Sequence, residues 1–575
     1  MPGGAVVHGT TDTSRIEAPV TVKAYLMCAF AAFGGIFFGY DTGWMSGVLA
    51  MPYFITQYTG LPQPPADAPK ATLDAFAVSA SNQSLTTSIL SCGTFFGALI
   101  AGDIADTIGR RMTIIAGCAI FCVGCIMETA STGLGLMVAG RLIAGGGVGF
   151  ISAIISALSL NLSNRSSTAV ILYMSEIAPK KVRGALVSGY QFCITVGILL
   201  ANCVVYATQN RTDTGSYRIP IAVQFLWAII LAVGLFILPE SPRYYVKKGR
   251  LEDAAKSLAN VRGQPIESEY IQDELAEIIA NNEYELSVVP QTSYISQWTN
   301  CFKGSMFDGS SNLRRTFTGI MLQCMQQFTG INFIFYFGNV FFKSLGTIKN
   351  PFLISLVTSL VNMLTTPLAF WTVERFGRRS ILLIGASCMI TFQFIVGIIG
   401  VTAGEADKHN TSAVSAMIAF ICLNIAAFAT TWGPAAWVVV GEIFPLPIRS
   451  RGVGLSTASN WFWNCIIGVI TPYLVGTQKG DANLGAKVFF MWGSLCVLSL
   501  LFAYFFVSET KGLSLEQVDR MLEETTPRTS AKWVPHSTFA GEMGLAGDKV
   551  VEHVPHVEKG NASDEAATEV NKDVV

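Results

Sequence analysis

Twelve apolar runs of membrane-crossing length recur along this chain of 575 residues. A helix needs roughly 20 apolar residues to cross a hydrocarbon core about 30 Å thick. The runs lie near residues 24–49, 85–102, 113–131, 134–174, 185–207, 219–238, 316–341, 352–373, 380–402, 413–440, 453–476 and 487–507. Only 13% of the residues are charged, about half the share found in water-soluble domains. The sequence therefore predicts an all-α membrane protein whose surroundings are the lipid bilayer.

The longest hydrophilic interruption, residues 239–315, divides the twelve runs into two sets of six. Short helices are expected inside it, because apolar residues recur there at helical spacing. These residues are Leu251, Ala254, Leu258 and Val261, followed by Ile271, Leu275 and Ile278. The expected segments are a cytosolic N-terminal segment (1–23), an N-terminal six-helix half (24–238), a cytosolic linker (239–315), a C-terminal six-helix half (316–507) and a cytosolic tail (508–575). Beyond about Thr525 the apolar periodicity ends, which predicts a largely disordered tail.

Lysine and arginine gather at alternate span ends, which predicts the orientation of the chain. The basic groups are Arg110 and Arg111; Lys180, Lys181 and Arg183; Arg243, Lys247, Lys248 and Arg250; Arg314 and Arg315; Arg375, Arg378 and Arg379; and Arg449 and Arg451. All fall on one side if twelve spans alternate in direction, and we expect that side and both termini to be cytosolic. Glycosylation sequons at Asn82, Asn210 and Asn410 then fall outside, which predicts a glycoprotein, whereas those at Asn161, Asn164 and Asn561 do not.

Composition and missing motifs also exclude several classes of protein. The net charge of −1 provides no basic surface for nucleic acid. The thirteen cysteines are scattered, and Cys122 with Cys125 forms a CxxC without a second pair, so we predict helix packing and neither a metal nor a cofactor. The polar N-terminus lacks a basic n-region and a cleavage site, so the first run is expected to be a retained span. No hydrolase, metalloprotease or phosphate-loop motif stands in a fitting context, so an enzyme is not expected.

Three loop motifs occur twice, in the same order and at a nearly constant offset. DTIGRR at Asp106–Arg111 matches ERFGRR at Glu374–Arg379, and SEIAPKKVRG at Ser175–Gly184 matches GEIFPLPIRS at Gly441–Ser450. PESPR, after the sixth run, matches SETKG, after the twelfth. Three ordered matches predict a duplicated six-span unit. Many secondary transporters are built from parallel repeats of this kind and bind their substrate near the midplane, between two rocking halves.

These loops, with QQFTGINFIFYFG in the seventh run and FGYDTGWMSGVLAMPYF in the first, resemble the sugar porter family of the major facilitator superfamily. The resemblance covers roughly residues 24–520 and is strongest to fungal monosaccharide transporters. SETKG stands where the family usually has PETKG. The resemblance implies twelve transmembrane helices in two six-helix repeats, a plasma-membrane location and a monomeric functional unit. It also implies transport of glucose and related hexoses by alternating access.

A sugar site needs amide side chains, which donate and accept hydrogen bonds at once, and an aromatic ring for the apolar face of the sugar. Such residues lie inside the runs: Gln191, Gln326, Gln327, Asn332, Asn362, Trp437 and Asn464. Each matches a position of the family's motifs, so the resemblance implies that they contact the sugar. The alternative for any single amide is a hydrogen bond between helices, worth about 0.6 kcal/mol on average. Phe38 and Trp461 are further candidates for lining the cavity, with aromatic packing as their alternative.

Two charges stand at membrane depth, Asp41 inside the first run and Arg141 near the start of the fourth. Such charges usually serve function, and protonating an aspartate opposite an arginine would release the arginine. In the family, an acid and an arginine at these positions couple transport to protons, so the resemblance implies a proton symporter. Some facilitative members also keep the aspartate, which leaves a uniporter as an alternative. A static buried pair is the purely structural alternative.

A third set of charges lies at the expected cytosolic span ends: Asp106, Arg110, Arg111, Glu176, Arg183, Arg378, Arg379, Glu442 and Arg449. Glu176 and Arg183 recur as Glu442 and Arg449 in the second half. The set resembles the family's intracellular ion-pair network, whose formation and breakage would bias the equilibrium between the two access states. The alternative is loop charge that obeys only the positive-inside rule.

A competing function from another class is a transporter-shaped sugar sensor that binds sugar and signals through its cytosolic tail. One stretch of the sequence also departs from the family. The fourth run extends from Gly135 to Met174, and its middle, Ser156–Val170, is polar where a helix should leave the membrane. The resembling sequences lack such a segment, so we expect a retained short intron in the gene model. A genuine insertion is the alternative.

Overall fold

A computed structural model describes most of the first 533 residues. The described residues are 33–65, 75–156, 183–288, 294–344, 350–403, 410–445, 448–476, 480–511 and 515–533, with Phe30, Thr72, Ile348 and Leu513. Every regular element within these ranges is helical. Glu176, nearly all of Ser156–Val170 and the tail from residue 534 onward lie outside them. What was inferred for those stretches stays a prediction.

Six long helices build the N-terminal half, and one short helix follows the first of them. They are α1 (Gly34–Ala50), the short α2 (Pro52–Thr59), α3 (Ala80–Ile108), α4 (Arg110–Ala130), α5 (Leu134–Ser156), α6 (Arg183–Thr208) and α7 (Gly215–Ile237). α3 begins where the Ser79 hydroxyl accepts a hydrogen bond from the Asn82 backbone N–H, a typical N-cap. The six long helices correspond to the first six apolar runs.

Four helices fill the linker: α8 (Pro242–Lys247), α9 (Leu251–Arg262), α10 (Glu269–Val288) and α11 (Tyr294–Asn300). α9 and α10 pack through the apolar residues that the spacing identified, with Ala254, Leu258, Ile271 and Leu275 buried. Leu251 is the exception, because it starts α9 and is 46% exposed. The short helices expected between the halves are confirmed.

Three spans of the C-terminal half are interrupted, which the run lengths did not predict. The seventh span is α12 (Asn312–Phe328) with α13 (Ile331–Ser344), the eighth is α14 (Pro351–Thr365) with α15 (Leu368–Phe376), the ninth is α16 (Arg378–Thr402), the tenth is α17 (Thr411–Thr430) with α18 (Trp432–Glu442), the eleventh is α19 (Arg449–Val475) and the twelfth is α20 (Val488–Phe506). Each break holds a residue that suits it: Gly330 with φ 73°, Pro367 before α15, and Pro434 in the first turn of α18. The twelve-helix architecture in two halves is confirmed.

Seven helical segments of the described chain are long and apolar enough to cross a membrane, and the α14–α15 pair, bent by 47°, would be an eighth. α1, α3, the α12–α13 pair and α19 do not meet that criterion. These four spans carry buried polar residues such as Asp41, Thr94, Gln327 and Asn464. Polar side chains within a span are stable when they face the interior of the bundle. These four spans therefore contribute polar side chains to the interior of the bundle.

Close helix contact in the N-terminal half depends on glycine. A Cβ added to Gly93 of α3 would lie 2.3 Å from the Leu142 carbonyl oxygen of α5. One added to Gly97 would lie 2.3 Å from the Gly146 carbonyl oxygen. No side chain fits at either position, so α3 and α5 touch through their backbones, as small residues allow in membrane bundles.

Three apolar clusters organise the bundle. One lies on the side away from the linker helices, here called the far side, and joins residues of both halves, such as Trp44 and Phe333. The other two lie toward the linker helices, here called the linker side. One surrounds Phe121 in the N-terminal half and the other Trp432 in the C-terminal half. Among the described residues, the halves thus share an apolar core only on the far side.

A further helix, α21 (Leu515–Glu524), lies in the stretch assigned to the tail. It buries Val518 and Met521. Asp519 of this helix forms an ion pair with Arg315 at the start of α12. The folded part of the chain therefore continues past the last span, which the sequence analysis did not predict.

Candidate functional site

The break in the seventh span brings three of the expected amides together. α12 and α13 separate at Gly330, whose φ is 73°, and a Cβ there would lie 2.6 Å from the Trp492 ring. Beyond the break, the Asn332 amide nitrogen donates to Gln327 Oε1 over 2.5 Å. Asn464 of α19 donates to the same oxygen over 3.5 Å. The break therefore creates a small amide cluster inside the bundle.

Asn464 also joins the two halves. Its carbonyl oxygen accepts a hydrogen bond from the Ser91 hydroxyl of α3 over 2.7 Å. Its nitrogen donates to the Tyr336 hydroxyl of α13 over 3.1 Å. All three residues are buried. The sequence analysis named Asn464 but missed Ser91 and Tyr336, because one serine or tyrosine in an apolar run is no signal by itself.

Gln326 is held by the protein itself. Its amide nitrogen donates to the carbonyl oxygens of Trp432 and Gly433, each over 3.0 Å. Its own oxygen accepts from Asn460 over 2.9 Å. The two carbonyl groups lie at the break of the tenth span, and irregular backbone inside a membrane must find hydrogen bonds within the protein. Gln326 thus stabilises that break, and in this conformation its nitrogen is not available to a ligand.

Other polar groups of the expected set have no hydrogen-bond partner within the described part of the chain. They are the Gln327 nitrogen, the Asn332 oxygen and the side-chain polar groups of Gln191, Asn362 and Trp437. Gln327 and Asn332 offer a donor and an acceptor side by side, which is what a hydroxyl group requires. No hydrogen bond between described residues joins Gln191, Asn362 or Trp437 to this pair, although Asn362 is buried and the other two are half-buried.

The two aromatic candidates touch each other. Phe38 of α1 and Trp461 of α19 meet edge to face, with their ring centroids 5.7 Å apart. Trp461 is buried and Phe38 is half-buried. Because α19 runs from the linker side to the far side, Trp461 lies about one turn nearer the linker side than Asn464. The contact crosses between the halves just below the amide cluster.

Two further hydrogen-bond contacts close the far side. Ser46 Oγ of α1 accepts from both the backbone nitrogen and the amide nitrogen of Asn339, each over 3.2 Å. Asn202 of α6 donates to Ser359 Oγ of α14 over 2.9 Å. All four residues are buried. The halves are therefore joined on the far side by polar contacts as well as by the shared apolar cluster.

Asp41 and Arg141 lie in one buried pocket, but the described residues show no direct ion pair between them. Their charges interact electrostatically, while the Arg141 guanidinium lies 5.0 Å from the centroid of the Trp44 ring. The Gln224 amide bridges Asp41 and Trp44 when its oxygen and nitrogen are exchanged. Its nitrogen then donates to Asp41 Oδ1 over 2.9 Å, and its oxygen accepts from Trp44 Nε1 over 3.1 Å. Glu128 of α4 is buried in the same pocket. The sequence analysis missed Glu128, although an acid inside the third run was as visible as Asp41.

On the linker side, Arg378 and Glu442 form the expected type of ion pair. Arg378 donates to Glu442 twice, from Nη2 over 2.8 Å and from Nε over 3.2 Å. The Thr510 hydroxyl of SETKG donates to the same carboxylate over 2.6 Å. Arg449 donates to the Phe444 carbonyl oxygen over 3.0 Å. Glu442 thus ties the start of α16 to the chain that follows α20.

The carboxylate of SETKG caps the helix that begins with Arg378. Glu509 accepts hydrogen bonds from the backbone nitrogens of Arg378 and Arg379, over 2.7 and 3.1 Å. An anion is favourable at a helix N-terminus, where the first N–H groups have no partner within the helix. Gly377, with φ 85°, makes the approach possible, since a Cβ there would lie 2.5 Å from Glu509 Oε2.

The N-terminal half has the same arrangement, in which a glutamate caps a helix that begins after a glycine. Glu240 of PESPR accepts from the backbone nitrogens of Arg110 and Arg111, each over 3.1 Å, and Gly109 has φ 97°. The Tyr244 hydroxyl donates to the Thr107 carbonyl oxygen over 3.0 Å, and burial raises the pKa of Tyr244, which keeps it a donor at neutral pH. Glu240 and Glu509 were inside quoted motifs but were not named as site residues.

Part of the expected network cannot be placed. Asp106 and Arg183 lie in described helices, but their side chains, like all of Glu176, lie outside the described residues. The N-terminal counterpart of the Arg378–Glu442 pair therefore stays a prediction. The described residues contain no group of three or more His, Cys, Asp or Glu side chains that could hold a metal ion.

Comparison with known proteins agrees with this architecture. The family model described as "Sugar (and other) transporter" matches residues 27–522. The chain is 45% identical to the major facilitator-type transporter ecdD of Aspergillus rugulosus, over 91% of this chain and 92% of that protein. It is 38% identical to the probable glucose transporter rco-3 of Neurospora crassa, over 88% of this chain and 80% of that protein. It is also 41% identical to the high glucose sensor RGT2 of Saccharomyces cerevisiae, over 91% of this chain but 65% of the sensor's length.

Solved structures share the fold. XylE, a proton:xylose symporter solved with 6-bromo-6-deoxy-D-glucose bound, matches with a TM-score of 0.65 and 25% sequence identity, over 87% of this chain and 99% of XylE. The family match spans nearly all of the described helices. The chain is therefore a sugar transporter, not an enzyme, and belongs to the sugar porter family of the major facilitator superfamily.

Proposed function

We propose that this protein carries glucose and related hexoses across the plasma membrane by alternating access, coupled to proton movement. The observation that carries the substrate class is the free donor of Gln327 beside the free acceptor of Asn332. Neighbouring hydroxyl groups of a sugar need such donors and acceptors. Gln191, Asn362 and Trp437, on three other helices, would supply the remaining contacts. The relatives named as a glucose transporter and a glucose sensor support this choice of sugar.

Alternating access is supported by the asymmetry between the two sides. The halves are joined on the far side by Asn464 with Ser91, and among the described residues their apolar cores are separate on the linker side. Basic span ends support a cytosolic location for the linker side and both termini, which would make this conformation the inward-facing one. Opening the far side requires the Ser91–Asn464 contact to break, while charges such as Arg378 and Glu442 rearrange on the linker side.

The orientation and assembly follow from the same proposal. One chain holds both halves and all the candidate amides, so we propose a monomeric functional unit. Asn210 lies exposed in the turn after α6 on the far side, where a glycan would face outward. Asn410 is also exposed, whereas Asn82 is half-buried in the first turn of α3.

Proton coupling is proposed from the pocket that holds Asp41 and Arg141. A buried carboxyl group beside a guanidinium can pair with it when ionised and release it when protonated. One elementary charge crossing the membrane gains about 2.3 kcal/mol per 100 mV, which is enough to drive accumulation. In the alternative, a facilitative uniporter of the same sugars, the pocket would keep one protonation state throughout.

A sugar sensor is the second candidate, favoured by the 41% identity to RGT2. A sensor would bind sugar at the same amides, Gln327 and Asn332, without completing the transport cycle. Binding and transport must therefore be measured separately.

The test is uptake of labelled glucose, galactose, fructose and xylose by cells that lack sugar carriers, each with and without a protonophore. We expect glucose to accumulate above its external concentration and the protonophore to abolish accumulation. The double variant Gln327→Ala with Asn332→Ala, at matched surface level, is the control for uptake through this site. Uptake that is unchanged by the protonophore and does not exceed the external concentration would identify a uniporter. Binding without uptake would identify a sensor. A protein that neither binds nor carries any of the four sugars would contradict the proposal.

A further inference from the structure

Glu128 is a buried acid that the roles proposed for Asp41 and Arg141 leave unexplained. It lies two residues before the end of α4, and its side chain is 0% exposed. Neither carboxylate oxygen has a partner of normal hydrogen-bond geometry in the described part of the chain, although the Gln224 amide lies close enough to interact with the ionised form. An ionised carboxylate without partners is far more costly in such surroundings than a neutral acid. Glu128 in this conformation is therefore expected to hold a proton.

The groups that face Glu128 come from every helix packed around it. Arg141 of α5 attracts its charge and Asp41 of α1 repels it. The α5 backbone lies directly against it, since a Cβ added to Gly140 would be 2.9 Å from Glu128 Cγ. From α7 it faces the neutral amide of Gln224. The described residues of α3 add no further charge to this pocket.

The charges of this pocket balance only when it holds a proton. Asp41, Glu128 and Arg141 together carry one net negative charge if both acids are ionised, and none if one acid is protonated. Cys125, one turn before Glu128 on the same helix, is a further neighbour and is neutral as a thiol. Two carboxylates that share one guanidinium in a medium of low dielectric cannot both stay ionised cheaply. We therefore expect one of the two acids, Glu128, to be protonated in this conformation while Asp41 is ionised.

Hydroxyl groups separate Glu128 from the far side. Ser131 Oγ donates to the Glu128 backbone carbonyl over 2.6 Å, and the Tyr58 hydroxyl lies 2.5 Å from Ser131 Oγ. The Tyr217 hydroxyl donates to the Ser131 carbonyl oxygen over 3.3 Å. Tyr58 belongs to α2 and Tyr217 to α7, so residues from two other helices cover this end of α4. A helical side chain leans toward the N-terminus of its helix, which here directs Glu128 inward, toward Arg141.

We propose that Glu128 is a proton-transfer residue that takes up a proton from the far side and passes it to Asp41. When the far side opens, the proton of Glu128 moves to the Asp41 carboxylate: the O–H bond at Glu128 breaks and one forms at Asp41. The Glu128 carboxylate then accepts a new proton from a hydronium ion on the far side, which leaves a water molecule. Asp41 then releases the proton on the linker side, so one proton crosses and both acids return to their starting charge. This inference rests on the proton coupling proposed above.

The test measures sugar-driven proton uptake into vesicles that contain the purified full chain. Glutamine has the shape of glutamate but cannot take up and release a proton. In Glu128→Gln the initial rate of proton uptake is therefore expected to fall roughly tenfold or more. Exchange of sugar without net proton movement is expected to continue. Glu128→Asp keeps an acid and is expected to retain most of the rate. Cys118→Ser, a buried change on the same helix outside the pocket, is the matched control and is expected to match the unchanged chain.

Infrared spectra provide a readout that a purely structural role would not move. A protonated carboxyl group has a C=O stretching band that a carboxylate lacks. We expect that band at neutral pH in the unchanged chain and in Cys118→Ser, and its loss in Glu128→Gln. If the unchanged chain shows sugar-driven proton uptake and Glu128→Gln shows the same rate and the same band, the role of Glu128 is overturned and the proposed function stands. If the unchanged chain carries sugar but moves no protons with it, the role of Glu128 and the proposed proton coupling are both overturned, while sugar transport stands.

Discussion

Replacing Asn332 with alanine is the sharpest test of the amide cluster at the seventh-span break. In the structure its nitrogen donates to Gln327 Oε1 over 2.5 Å, while its oxygen is free. The substitution removes the free acceptor, the Asn332 oxygen. It also leaves Gln327 Oε1 with only the 3.5 Å contact from Asn464. A bound sugar would lose one partner directly and would meet a Gln327 amide that is no longer held in place.

The magnitude follows from the cost of unpaired polar groups. Leaving one buried donor or acceptor without its partner costs about 1–3 kcal/mol. Since each 1.4 kcal/mol is a factor of ten in affinity, Asn332→Ala is expected to weaken sugar binding by roughly 5- to 150-fold. Gln327→Ala removes the free donor, and we expect it to weaken sugar binding by a factor in the same range. Neither change deletes a large apolar side chain, so both proteins are expected to reach the surface.

The assay is initial uptake rate against sugar concentration, normalised to the amount of protein at the cell surface. The expected result is a raised KM, with a smaller change in the maximal rate per surface molecule. Gln393→Ala is the matched control. That amide is also buried, but it donates to the Thr329 carbonyl oxygen over 2.8 Å from α16. The Gln393→Ala variant is expected to yield less folded protein, and the protein that does fold is expected to keep an unchanged KM.

Normal KM values in both Asn332→Ala and Gln327→Ala, at normal surface level, would refute the assignment of sugar contact to this break. An equal rise of KM in Gln393→Ala would show instead that the geometry of the broken backbone sets the affinity. Either result would move the site elsewhere in the bundle.

Three further expectations concern other parts of the chain. Asp41→Asn is expected to abolish uphill accumulation while downhill exchange survives, because an amide cannot alternate between charged and protonated forms; a mutant that still accumulates sugar in a pH gradient would rule this out. Gly377→Ala forces strained backbone and displaces Glu509, so unfolding is expected to become easier by about 2 kcal/mol or more, seen as a lower Tm of the purified protein. Gly441→Ala, where a Cβ meets open space, is its control, and equal Tm values for the two would count against the argument. Transcript reads are expected to lack the segment encoding Ser156–Val170, and its presence in most messages would establish a genuine insertion.

The fold was predictable from the sequence because membrane-crossing length and low charge leave few other structures. The interruptions of the spans were not. Glycine and proline are common within transmembrane helices, so Gly330 or Pro434 in an apolar run does not by itself locate a break. Whether the helix stops there depends on partners elsewhere in the bundle, such as Gln326, which donates to the free carbonyl groups at the tenth-span break.

The types of residue at the candidate site were also predictable, but their availability was not. Gln326 and Gln327 are neighbours in sequence and point about 100° apart around α12. One is engaged by the backbone of α18, while the other keeps a free nitrogen beside Asn332. Only the packing of helices that are distant in sequence separates the two roles.

The two glutamate-capped helix starts on the linker side show a different limit of prediction from sequence. The motifs PESPR and SETKG were visible as a repeat, yet nothing in the sequence showed that their glutamates cap the helices that begin at Arg110 and Arg378. The fold brings Glu240 and Glu509 to those helix ends over about 130 residues of chain. Glu128 is a simpler omission, since an acid within a predicted span deserved the same notice as Asp41.

The double engagement of Asn464 has a consequence for the pace of the transport cycle. The same side chain contacts Gln327 at the candidate site and accepts the hydrogen bond from Ser91 that joins the halves on the far side. A sugar that takes over hydrogen bonds of Asn464 weakens that junction, whereas an empty carrier keeps it intact. The loaded carrier is therefore expected to reorient faster than the empty one. Sugar placed on the receiving side of the membrane would then accelerate entry from the other side, the behaviour known as trans-stimulation.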